Sequence, residues 1–150
     1  STLIYRSGYY YSFNEKQILT FSKKGKGFAF ELETGIRLVA APDPVHDLYL
    51  IISTNKGCYI AKPDKEELHL NEQVFARDYI PNQIVFIGAL RFVIAEKRQA
   101  VLFEIDNKNE PVILRLFETH NTIVGVLQGN DRNQFGLLEE SGRVTICDIT

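Results

Sequence analysis

Apolar and polar residues alternate along most of this chain, in short runs broken by clusters of Gly, Asn, Asp and Lys. A period of two places successive side chains on opposite faces of an extended strand, so the alternation restricts the chain to β structure. Four such runs align without gaps, at residues 22–32, 52–62, 95–105 and 138–148. Each is a polar turn followed by an alternating strand, and each follows an apolar strand, so the repeating unit is a β-hairpin. The first apolar residue after each turn is Phe28, Cys58, Val101 and Val144, giving intervals of 30, 43 and 43.

Two equal intervals near 43 match the period of a propeller blade of four strands, whereas helical solenoids of similar period would show 3.6-residue spacing. The pattern predicts blades at about 1–34, 35–64, 73–107 and 112–150. In the short interval, Pro42 and Pro44 leave room for one strand between Glu33 and Leu48, so that blade must lack a strand or take one from elsewhere. The last repeat reads as the most complete. Residues 112–117 are its expected inner strand, followed by 122–128, 134–138 and 144–149, with Gly129-Asn130-Asp131 and Ser141-Gly142 as turns. Leu68, Phe75 and Tyr79 stand at helix-like spacing, which makes a short amphipathic helix the competing reading of residues 65–80. An all-β sandwich is the alternative fold.

Residues 114–127 and 134–150 resemble a WD repeat, in its order of strand, Gly-His, strand, Asp-containing turn, strand and terminal Trp-Asp. His120 matches the family's His, with Thr119 where Gly is usual, and Cys147 and Asp148 occupy the Trp-Asp positions. In the other repeats Glu31-Leu32, Ala61-Lys62 and Glu104-Ile105 stand there instead. The resemblance implies a divergent β-propeller in which His, Asp and Trp tie strands together by hydrogen bonds. Trp is absent from this chain, so any tie centred on His120 lacks its indole donor. Propellers close at about 4 to 8 blades and WD-type rings mostly at the upper end, so three or four blades favour an incomplete ring over a closed four-bladed one. Each cut end would then expose an apolar sheet face meant for a neighbouring blade. The absence of methionine fits a segment of a longer chain, as it also fits removal ahead of Ser1.

Composition narrows the function. With 150 residues, 45% of them hydrophobic, the chain can bury a core without disulfides or metals. A net charge of −2 lacks the basic excess that concentrates nucleic acid, and no apolar run reaches the ~18 residues of a membrane span. Cys58 and Cys147 both lie in alternating apolar runs, which suits packed thiols in a reducing, intracellular compartment, cytoplasmic or nuclear. His46, His69 and His120 share no metal-ligand spacing, no nucleophile elbow occurs, and Gly25-Lys26-Gly27 is too short to cradle a phosphate. The pairs Glu66-Glu67 and Glu139-Glu140 read as solvated turn acids. No catalytic residue, metal or cofactor is expected.

What remains is recognition. Variable turns on rigid strands suit docking, which singles out Asn130, Asp131 and Arg132 in one turn and Arg77 and Asp78 in the connection before the third blade. Arg6 and Tyr10, in the densest aromatic cluster, and the basic turn of Lys23, Lys24 and Lys26 form an alternative patch. The leading expectation is a non-catalytic scaffold binding other protein subunits, some of which complete the propeller. An RNA- or ribonucleoprotein-binding propeller and an enzyme on a propeller scaffold are the alternatives.

Overall fold

The computed structural model describes the backbone of strands between Thr2 and Asn71, and residues 83–88, 90–108, 110–129 and 133–149; side chains are described for Ile51 and for this second set. The described residues form fifteen strands in four antiparallel sheets. They divide into two compact units, Ser1–Asp78 and Tyr79–Thr150.

In the first unit, β1 (Thr2–Arg6), β2 (Tyr9–Phe13), β3 (Gln17–Ser22) and β4 (Gly27–Glu31) make one sheet in chain order. A second sheet runs through β5 (Ile36–Ala40), β6 (Leu50–Thr54), β7 (Cys58–Lys62) and β8 (Glu67–Asn71). Two open alternatives are decided here. The second sheet does not lack a strand but takes one from beyond residue 64, because β8 pairs with β7 from Cys58↔Asn71 to Lys62↔Glu67. For the same reason Glu67–Asn71 is not helical: five consecutive ladder pairs outweigh the weak 3.6-residue spacing of a few apolar residues.

The second unit holds a sheet of β9 (Gln83–Phe86), β10 (Arg91–Glu96), β11 (Gln99–Ile105) and β12 (Pro111–Glu118), then one of β13 (Ile123–Gln128), β14 (Gln134–Glu139) and β15 (Val144–Asp148). The blade bounds 73–107 and 112–150 therefore need correcting, since residues 112–117 lie in the outer strand of the third sheet. The cause is local. Asp106 Oδ1 accepts from the N–H groups of Lys108 and Glu110, and Asp106 N–H donates to Glu110 O, closing a hairpin that returns β12 onto β11. The last sheet, expected to be the most complete, has three strands where the others have four.

Alternation decides which residues make the core. Val93, Ala95, Ala100 and Leu102 share one face of the third sheet and pack with Ile123, Phe135, Leu137 and Cys147 of the last, rimmed by Ile87, Phe117, Val126 and Ile149. Each large apolar side chain buried in this way contributes about 1.5–3 kcal/mol. Phe117 and Phe135 meet edge to face, 5.2 Å between ring centroids. On the other face of the third sheet, Phe92 sits between Phe86 at 5.6 Å and Phe103 at 5.1 Å, a buried row across three strands. The join between the two sheets is also polar. Ile123 N–H donates to Lys97 O and Gln128 Nε2 to Phe86 O, while Thr119 N–H donates to Arg98 O in continuation of the β11–β12 ladder.

Candidate interaction surface

Glu139, expected to be a solvated turn acid, is 1% exposed and organises one end of the last sheet. Its place at the end of β14 puts it on the face of Phe135 and Leu137, which looks into the core. Its Oε1 accepts from the backbone N–H groups of Asn121 (3.0 Å) and His120 (3.1 Å), and its Oε2 accepts from Thr145 Oγ1 (3.0 Å). Arg143 Nε lies 3.7 Å from Oε2. The Asn121 N–H chiefly holds the carboxyl below the usual carboxylate range; burial opposes this, and Thr145, His120 and the Arg143 charge add to it. Next to it, buried Thr119 donates its hydroxyl to Asn121 O at 2.7 Å, fixing the connection from β12 to β13.

The motif residues take unequal parts in this knot. His120 contributes its backbone N–H, while its residue surface is exposed. The tie is therefore centred on a carboxylate, not on an imidazole, and it needs no indole. Cys147 is a buried free thiol packed between the sheets, pushed up to about 11 mainly by burial, with Arg115 opposing and Asp148 adding to the shift. Asp148 is exposed and accepts from Gln134 Nε2 through its side chain and from Arg115 Nη1 through its carbonyl. Sequence reasoning missed Glu139 because acid pairs usually mark turns. The available signal was its place in register with Phe135 and Leu137.

The knot and the core fix one face of the last sheet, and alternation sends the remaining side chains the other way. Strand register places Leu127 beside Gly136, Gly136 beside Ile146, and Leu138 beside Val144 on that outward face. Leu127, Val144 and Ile146 are 44%, 43% and 62% exposed, and Val124, at the bulge in β13, is 48% exposed. An added Cβ on Gly136 would sit 3.2 Å from Val144 Cγ1, so glycine lets the aliphatic groups close over this face. Contiguous bare apolar surface of this kind marks an interaction site more often than scattered exposure does.

Arg77, Asp78, Asn130, Asp131, Arg132, Lys23, Lys24 and Lys26 lie outside the described residues. Arg6 in β1 pairs with Tyr9, and Tyr10 in β2 stands between Tyr5 and Phe21 in the backbone register. Among the described residues there is no group of three or more His, Cys, Asp or Glu placed to hold a metal ion, and no helix long and apolar enough to cross a membrane.

No protein-family model matches the chain, and no curated protein matches it either. Solved structures do. The WD40 domain of SCAP from fission yeast superposes with a TM-score of 0.72 at 14% identity, over 99% of this chain and 41% of that one. A chain of the mitotic checkpoint complex superposes with a TM-score of 0.69 at 11% identity, over 99% of this chain and 46% of that one. At such identities the likeness is one of fold: the chain is all-β, with the architecture of part of a WD-like propeller. It spans less than half the length of the structures it matches.

Proposed function

From a WD-like propeller fold that carries a bare aliphatic face, we propose that this chain is a non-catalytic scaffold that docks other protein subunits within a larger intracellular assembly. The carrying observation is the outward face of β13 to β15, where Leu127, Val144 and Ile146 stand together in water. Covering such a face gains about 25 cal/mol for each Å² of apolar surface removed from solvent, and its selectivity comes from shape and not from charge. The free thiol of Cys147 suits a reducing compartment. Turn residues Arg77, Asp78, Asn130, Asp131 and Arg132 belong to the same proposal as sites where partner choice is tuned.

The test is the mass of the native assembly. A particle well above the mass of the single native polypeptide that carries these residues, retained after nuclease treatment and across a range of salt, is the expected result. A native monomer would overturn the reading. Steep loss of partners with salt, or loss on nuclease treatment, would replace it with the nucleic-acid alternative.

A further inference from the structure

The two cysteines, alike in their sequence setting, stand in different registers. Cys147 in β15 is opposite Phe135, is 3% exposed and is packed in the core of the second unit, where burial pushes its thiol up to about 11. Cys58 is the first residue of β7. The ladders on the two sides of β7 set it opposite Ser53 of β6 and Asn71 of β8, so its row across the sheet is made of polar residue types where Cys147 has an aromatic one.

The pairing of β8 onto β7 also brings a histidine beside that row. His69 is opposite Ile60, and Ile60 and Cys58 are alternate residues of one strand, so His69 shares a face with Cys58 one step along the ladder. Diagonal neighbours of this kind stand about 7–8 Å apart, within the span of an aromatic side chain. The other titratable residues of β6, β7 and β8 on this face are Lys62 and Glu67, which oppose each other at the far end of the ladder. β5 carries Arg37 at its register shift, with β6 between it and β7. Within this sheet His69 is therefore the residue nearest in register to Cys58 that can carry a positive charge. An imidazolium beside a thiol favours the thiolate, and the thiolate is the nucleophile.

We propose that Cys58 is a reactive thiol, poised as a thiolate by His69 across the β7–β8 ladder and reversibly capped by small-molecule disulfides. The step is thiol–disulfide exchange. The Cys58 thiolate attacks one sulfur of the disulfide, a new S–S bond joins Cys58 to that half, and the original S–S bond breaks. The other half leaves as a thiolate and takes up the proton carried by His69, so Cys58 is oxidised as the leaving sulfur is reduced. Excess small thiol runs the exchange backwards. His69 is a positioning residue in this scheme, since it acts through the Cys58 sulfur.

The test takes the native polypeptide that carries these residues and follows iodoacetamide labelling as a function of pH, with mass mapping of the peptides that hold Cys58 and Cys147. The rate at Cys58 should rise with a midpoint below about pH 8, under the ordinary thiol value of about 8.5, while Cys147 stays unlabelled. His69→Gln should raise that midpoint by about one unit and slow labelling at about pH 6.5 by about threefold, because the loss of thiolate is partly offset by its greater nucleophilicity. Excess hydroxyethyl disulfide at neutral pH should form a mixed disulfide at Cys58 and none at Cys147, and dithiothreitol should remove it. A Cys58 midpoint at or above about pH 8 in the unsubstituted protein, an unmoved midpoint in the His69 variant, or no mixed disulfide at Cys58 would each overturn the proposal. The first of these needs no substitution, so it decides the matter even where His69→Gln does not fold.

Discussion

At the scale of single residues, Glu139 supplies a strand tie that needs no tryptophan. A carboxylate with two backbone N–H groups and a hydroxyl on its oxygens ties the β12–β13 connection, β14 and β15 to one point. Its folded-state pKa is lowered, so the stability it supplies is fully present above the unfolded value of about 4.3 and is lost as pH falls through the lower folded value. Glu139→Gln keeps the shape and removes the charge. The variant should melt below the parent at pH 7, and the gap should shrink as thermal scans are repeated toward pH 3. Gly142 sits at φ 92° with open space around its Cα, so Gly142→Ala meets no clash and costs about 1 kcal/mol through backbone strain alone, read as a lower urea midpoint at constant slope. The Cys147 thiol, at about 11, ionises in about one molecule in a thousand at pH 8 and should resist alkylation until the chain unfolds.

At the scale of elements, the shared core of the second unit makes its two sheets interdependent. Leu102 is fully buried between them, and Leu102→Ala should destabilise the chain by about 2–5 kcal/mol in denaturant titration. Strand existence was legible in the sequence: alternation located the runs that became β6 and β7, β10 and β11, and β14 and β15, because burying one face forces a period of two. Allotment of strands to sheets was less legible. The turn at Asp106 that folds β12 back is decided by a side chain accepting two amides, and nothing in the alternation of residues 112–117 says which neighbour they join. Glu67–Asn71 shows the same limit, since a five-residue strand at an edge carries little periodicity of its own.

At the scale of the whole molecule, the repeat spacing had signalled a propeller part, and the superpositions agree on the fold while covering under half of each matched structure. The docking face was legible only in outline. Exposed apolar surface could be foreseen at the end of a repeat array, yet Leu127, Val144 and Ile146 are indistinguishable in sequence from core aliphatics, because which face is covered depends on the neighbouring sheet. The folded chain should accordingly bind an environment-sensitive hydrophobic dye at neutral pH. Leu127→Lys with Ile146→Lys should lower that fluorescence while shifting stability by no more than about 1 kcal/mol, as for exposed positions elsewhere. The join between the third and last sheets runs through the main chain of Lys97, whose carbonyl receives Ile123, beside the Arg98 carbonyl that receives Thr119 at the end of the β11–β12 ladder. A main-chain acceptor is present whatever side chain its residue carries, so the chemistry of that junction is blind to the side chain at Lys97; what the position demands is a residue that accepts φ 51°, so sequence drift there is bounded by backbone conformation alone.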